Sequence, residues 1–81
     1  MFKARTADGR NNISGLRVKK LRKALQISQR ELSDRLQVVG LDINKNAVQR
    51  IESGERFVTD IEIIALSKCF NVTVNNLLGI K

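Results

Sequence analysis

The stretch Ile27-Ser28-Gln29-Arg30-Glu31-Leu32 decides how this chain is read. Ser28 followed three residues later by Glu31 is a capping box. The hydroxyl accepts from the third N–H of a new helix, and the carboxylate reaches back to the serine N–H. Ile27 and Leu32 stand on either side at the spacing of a hydrophobic staple, so a helix starts here with its entry angle set.

Working outward, the same device recurs. Thr59 carries Glu62 three residues on, with Val58 and Ile63 as the staple; Asn44 has Ile43 and Val48, Thr73 has Val72 and Leu77, and Ser14 has Ile13 and Val18. Five starts at one spacing predict five short helices, over about 14–25, 28–38, 44–53, 59–70 and 73–79, and leave no room for strands. Gly54 closes the third, since glycine adopts the left-handed backbone that ends a helix. Apolar residues follow the helical period: Val18, Leu21 and Leu25; Leu32 and Leu36; Val48 and Ile51; Ile63, Leu66 and Phe70; Leu77 and Leu78. Helices this short do not persist alone in water, so these faces must pack together. The expected product is a compact all-α domain over 13–81. Residues 1–12, polar and without helical period, are expected to form a flexible basic arm.

Bulk numbers bound the function. At 81 residues the chain makes one domain, near the size where a single core just sustains a fold, and with no Trp, Tyr or Pro that core is aliphatic. The net charge of +7 is uneven: residues 1–25 hold eight basic side chains against Asp8 alone, and the rest of the chain is neutral. Such a block fits a phosphate backbone, and charge alone fits a solvated basic tail equally well. One Cys and no His exclude a disulfide framework and an all-Cys zinc site within the chain. Cys69, in the fourth helix, reads as a small, partly buried side chain rather than a redox sensor. No apolar run approaches membrane-spanning length, and a reducing cytoplasm is the expected compartment.

The third helix carries chemistry on one side. At about 100° per residue, Lys45, Asn46, Gln49, Arg50 and Ser53 share one arc, with Ala47, Val48 and Ile51 opposite. Arg and Lys suit guanine O6 and N7; Asn and Gln suit adenine N6 and N7. Such an arc is also what an ordinary polar helix face looks like. Glu52 projects beside the apolar side, where a buried carboxylate requires a partner.

Four segments together resemble the Cro/CI-type (XRE-like) helix-turn-helix family: Gly15-Leu-Arg-Val-Lys-Lys-Leu-Arg22, Ile27 to Leu32, Val48-Gln-Arg-Ile-Glu-Ser-Gly54, and Thr59-Asp-Ile-Glu-Ile-Ile-Ala-Leu66 with Asn71-Val-Thr-Val-Asn-Asn-Leu-Leu78. The likeness covers about residues 13–79. It implies a lambda-repressor-like five-helix domain in which 28–38 opens the motif and 44–53 is the recognition helix in the major groove. The base-reading set is then Lys45, Asn46 and Arg50, with Gln49 and Asn44 behind them. Gln29, with Ser28, falls at a position that bonds phosphate in the family, where helix N-termini attract anions. Arg22 is placed opposite Glu52 as a structural salt bridge. Arg56, just past Gly54, is expected to reach the DNA backbone, and Lys3, Arg5 and Arg10 to add contacts from the arm. Two departures stand out: the connection Val38 to Ile43 is longer than the usual tight turn, and Ser33 replaces the usual Ala.

The expected partner is double-stranded DNA, as an inverted-repeat operator if two copies pair through Asn75, Leu78 and Ile80 near the last helix. No cofactor, metal or membrane is expected, and no enzyme: there is no His, phosphate loop or nucleophile motif. The rival reading is an antitoxin or anti-repressor acting through a protein. A polar reading face argues for DNA instead.

Overall fold

In the computed structural model, residues 5–80 are described; Lys3 lies outside them. Among the described residues five helices follow in order: α1 (Gly15–Ala24), α2 (Gln29–Val38), α3 (Lys45–Ser53), α4 (Asp60–Phe70) and α5 (Val74–Leu78). None is long and apolar enough to cross a membrane.

Four helix starts are capped by the residue that the sequence marks. Ser28 Oγ accepts from Glu31 N at 3.0 Å while Glu31 Oε1 accepts from Ser28 N at 3.3 Å. Thr59 and Glu62 repeat the reciprocal pair, at 3.2 and 2.9 Å. Asn44 Oδ1 accepts from Ala47 N, and Thr73 Oγ1 from Asn76 N, both at 3.0 Å. Ser14 is the exception. Its backbone is helical rather than extended, its side chain makes no cap bond, and Asn12 Oδ1 takes the Gly15 N–H instead, at 2.8 Å.

Val18, Ile27, Leu32, Leu36, Ile43, Val48, Ile51, Ala65, Leu66 and Leu77 form the buried core. α3 packs on both α1 and α2, and α4 covers α2 and α5. Leu25 does not join the core; α1 has ended before it, and it is half exposed. Gly15 marks the closest approach, since a Cβ there would fall 1.9 Å from the Ile51 carbonyl oxygen. Only glycine lets the start of α1 lie against the end of α3.

The long α2–α3 connection is anchored rather than loose. Gly40 takes a left-handed φ of 97°, and bonds from Gly40 N to Gln37 O and from Leu41 N to Leu36 O turn the chain off α2. Ile43 is buried, and Gln37 Nε2 donates to its carbonyl at 3.0 Å. Ser33, also buried, satisfies its hydroxyl by donating to Arg30 O at 2.6 Å.

Residues 6–12 depart from the flexible arm expected of them. Thr6 and Arg10 close a short turn, and Asn11 and Asn12 bond to the segment just past α3. The reason is tertiary: the Ile51 carbonyl at the end of α3 and the Gly54, Glu55 and Arg56 carbonyls beyond it accept from these amides.

Candidate nucleic-acid interface

α3 is fixed on one side and open on the other. Val48 and Ile51 are buried in the core, with Ala47 partly buried beside them. Opposite, Lys45, Asn46, Gln49 and Arg50 are exposed, and their side chains bond to nothing among the described residues. Asn44 uses Oδ1 as the cap, which leaves its amide donors outward. Ser53 is also exposed, and its hydroxyl donates back to Arg50 O at 3.1 Å. A polar recess of about 430 Å³ lies beside this face, lined by Asn44, Asn46, Arg50, Arg56 and Asp42. Asp42 escaped the sequence reading because it precedes the helix and belongs to no helical arc.

A charged cluster holds α3 from behind. Arg22 Nε donates to Glu52 Oε2 at 2.7 Å and Nη2 to Oε1 at 3.0 Å, a two-pronged pair with Glu52 only 3% exposed at its side chain. Arg22 Nη1 also donates to the Ile27 carbonyl, at 2.8 Å. The bond to Glu52 raises the guanidinium pKa above its ordinary value, against the opposing effect of burial. Gln29 Nε2 donates to Glu52 Oε1 at 3.1 Å, so the cluster joins α1, α2 and α3.

This cluster also aims the start of α2. Gln29 is half-buried and held through one amide hydrogen, while Ser28 is exposed, its oxygen occupied by Glu31 N and its own hydroxyl hydrogen directed by no partner among the described residues. Arg56 is less available than expected. Its Nη2 donates to Glu62 Oε2 at 2.7 Å, so the guanidinium is ion-paired to α4 while lining the recess beside α3.

Arg10 is placed differently again. Its guanidinium donates to the carbonyls of Glu52 at 2.8 Å and Ile51 at 3.4 Å, at the end of α3, instead of pointing into solvent. Asn12 Nδ2 donates to Ile51 O at 3.0 Å and Arg56 O at 2.7 Å. Two asparagines before a helix read as loop in a sequence, and nothing local marks them as ligands of a helix 40 residues away. Arg5 is exposed. Cys69 is partly buried, and burial raises its thiol pKa against the pull of Arg35, as suits an unreactive side chain.

The family model described as helix-turn-helix, HTH_3, matches residues 18–77. This chain belongs to that helix-turn-helix family. The match runs from the first core residue of α1 to Leu77 in α5, so it spans the whole packed unit around α2 and α3. Among solved structures, the P22 c2 repressor protein in complex with synthetic operator 9T is similar at 25% identity and a TM-score of 0.69. The alignment covers 83% of this chain and 94% of that one. No curated protein sequence is significantly similar.

Proposed function

We infer that this helix-turn-helix chain is a sequence-specific regulator of transcription that places α3 in the major groove of double-stranded DNA. The observation that carries the reading is the divided character of α3. Lys45, Asn46, Gln49 and Arg50 are free on a helix whose other side is locked by core and salt bridge. A rigid helix with unengaged donors and acceptors is what base-edge recognition requires. The likeness to a repressor that was solved on its operator supports the same partner. An antitoxin-like role through a protein would favour an apolar face, and this face is polar.

Lys45, Asn46 and Arg50 read bases, supported by Gln49 and the amide of Asn44. Ser28 and Gln29 place the start of α2 on a phosphate, where backbone N–H groups and the helix dipole favour an anion. Arg22 and Glu52 position rather than contact. Arg56, tied to Glu62, contributes a braced cation at the edge of the recess. Bound at an operator that overlaps a promoter, the protein acts as a repressor.

Selection from random duplexes at about 150 mM salt tests this directly. An enriched motif is expected, and Arg50→Ala should relax one position of it at a cost of about 1–3 kcal/mol. Gln29→Ala should weaken binding to every duplex, the scrambled as well as the selected. Enrichment of no motif by the wild-type chain overturns the reading.

A further inference from the structure

We propose that Arg10 and Asn12 are positioning residues for sequence discrimination: the segment before α1 clamps the C-terminal end of α3 and sets how the reading face meets the bases. The proposal rests on the DNA-reading role of α3 inferred above.

The last carbonyls of a helix carry its negative pole and have no partner within it. Here the N-terminal segment supplies both charge and donors. Arg10 brings a guanidinium to the Glu52 and Ile51 carbonyls. Asn12, only 8% exposed, bridges two helices: Oδ1 accepts from Gly15 N at the start of α1, and Nδ2 donates to Ile51 O in the last turn of α3 and to Arg56 O in the loop beyond it. Asn11 adds its backbone N–H to Gly54 O at 2.8 Å and its side-chain amide to Glu55 O at 3.0 Å. The fit is close. A Cβ on Gly54 would lie 2.8 Å from the Arg10 guanidinium carbon, and one on Gly15 would overlap the Ile51 carbonyl.

The clamp complements the Glu52 cluster. Arg22 and Gln29 hold the last turn of α3 through the Glu52 side chain and not through its backbone. Arg10 and Asn12 hold the backbone of that turn. Reading geometry tolerates errors of about half an ångström, so a helix pinned twice discriminates where one pinned once still binds. The basic charge of Arg10 therefore serves alignment and not phosphate attraction.

The two roles separate in one experiment. Dissociation constants are measured across salt for wild type, Asn12→Ala and Arg10→Gln on the best duplex selected by the wild-type protein and on a scrambled duplex of equal length. Circular dichroism melts select temperatures at which each variant is folded. The expected result is a loss of about tenfold on the selected duplex, less than about twofold on the scrambled one, and an unchanged salt slope. Arg10→Gln, at a residue less buried than Asn12, keeps the test open if Asn12→Ala does not fold. Equal losses on both duplexes with Arg10→Gln, together with a salt slope lower by about one phosphate contact, would make Arg10 a backbone ligand and overturn the proposal. Unchanged discrimination in both folded variants would also overturn it. A wild-type chain that does not distinguish the two duplexes sinks the DNA-reading assignment itself, a separate failure.

Discussion

Glu52 is a carboxylate 4% exposed in a domain of 81 residues, and it is tolerated because three donors converge on it. Removing one member of such a pair leaves the other charge buried and unmatched, which costs about 3–5 kcal/mol, a large part of the stability of a small domain. Arg22→Ala and Glu52→Ala should therefore each lower the melting temperature strongly. Arg22→Met with Glu52→Leu should recover much of the loss, because two apolar replacements leave no buried charge behind. If Glu52→Ala melted like wild type, the cluster would have no part in holding α3. The thiol of Cys69 offers a contrast. Since burial raises its pKa, the reactive thiolate is scarce at neutral pH, and alkylation of the folded protein should be much slower than in denaturant.

At the scale of elements, helix starts were legible in side chains, and the ends of α2, α3 and α4 fell at the expected Val38, Ser53 and Phe70, while α1 and α5 stopped one residue short. A start is written in one side chain at a fixed distance from a second, and Ser28, Asn44, Thr59 and Thr73 each carry that mark. Ser14 carries it too, yet Asn12 does the capping, because the mark records spacing and not which polar group lies closer in space. Ends are written in backbone conformation. Gly54 and Asn71, residue types that accept the left-handed region, advertise their φ of 86° and 55°, whereas Gln26 adopts 58° with nothing in the sequence to announce it. Leu25 was misplaced for that reason: its spacing from Leu21 continues the helix, but the chain turns away at Gln26. A non-glycine residue held left-handed is strained by about 1 kcal/mol. Gln26→Gly removes that strain while keeping the bonds from Gln26 N to Lys23 O and from Ile27 N to Arg22 O. It should stabilise the fold by about 0.5 kcal/mol, the remainder being lost to the more flexible unfolded chain, as chemical denaturation would measure. The exposed polar arc of α3 was legible from period alone. The clamp beneath it was not, because Arg10 and Asn12 meet α3 across some forty residues of chain.

At the scale of the whole molecule, under the proposed function, one copy presents one reading helix. α3 is nine residues long, about 13 Å, and such a helix contacts only a few base pairs in the groove. Two copies related by a two-fold axis would read half-sites about one DNA turn, or 34–36 Å, apart, close to the 36 Å length of a single molecule. Pairing needs apolar surface away from α3, and the fold supplies it next to α5. Ile80 is 53% exposed, and half-buried Leu78 lines a recess shared with Ile13 and Phe57, themselves 55% and 57% exposed. These side chains come from the segment before α1, the α3–α4 loop and the end of the described chain. The surface expected at Asn75, Leu78 and Ile80 therefore extends to residues that sequence spacing does not connect. Phe57→Asp and Ile80→Asp place a charge there without touching α3. Each should abolish the preference for a duplex with two half-sites over a duplex with one, while affinity for the single half-site stays within about twofold. A preference that survives both substitutions would remove this surface as the contact between copies, and would leave the exposed Ile61 and Ile64 of α4 as the next to substitute.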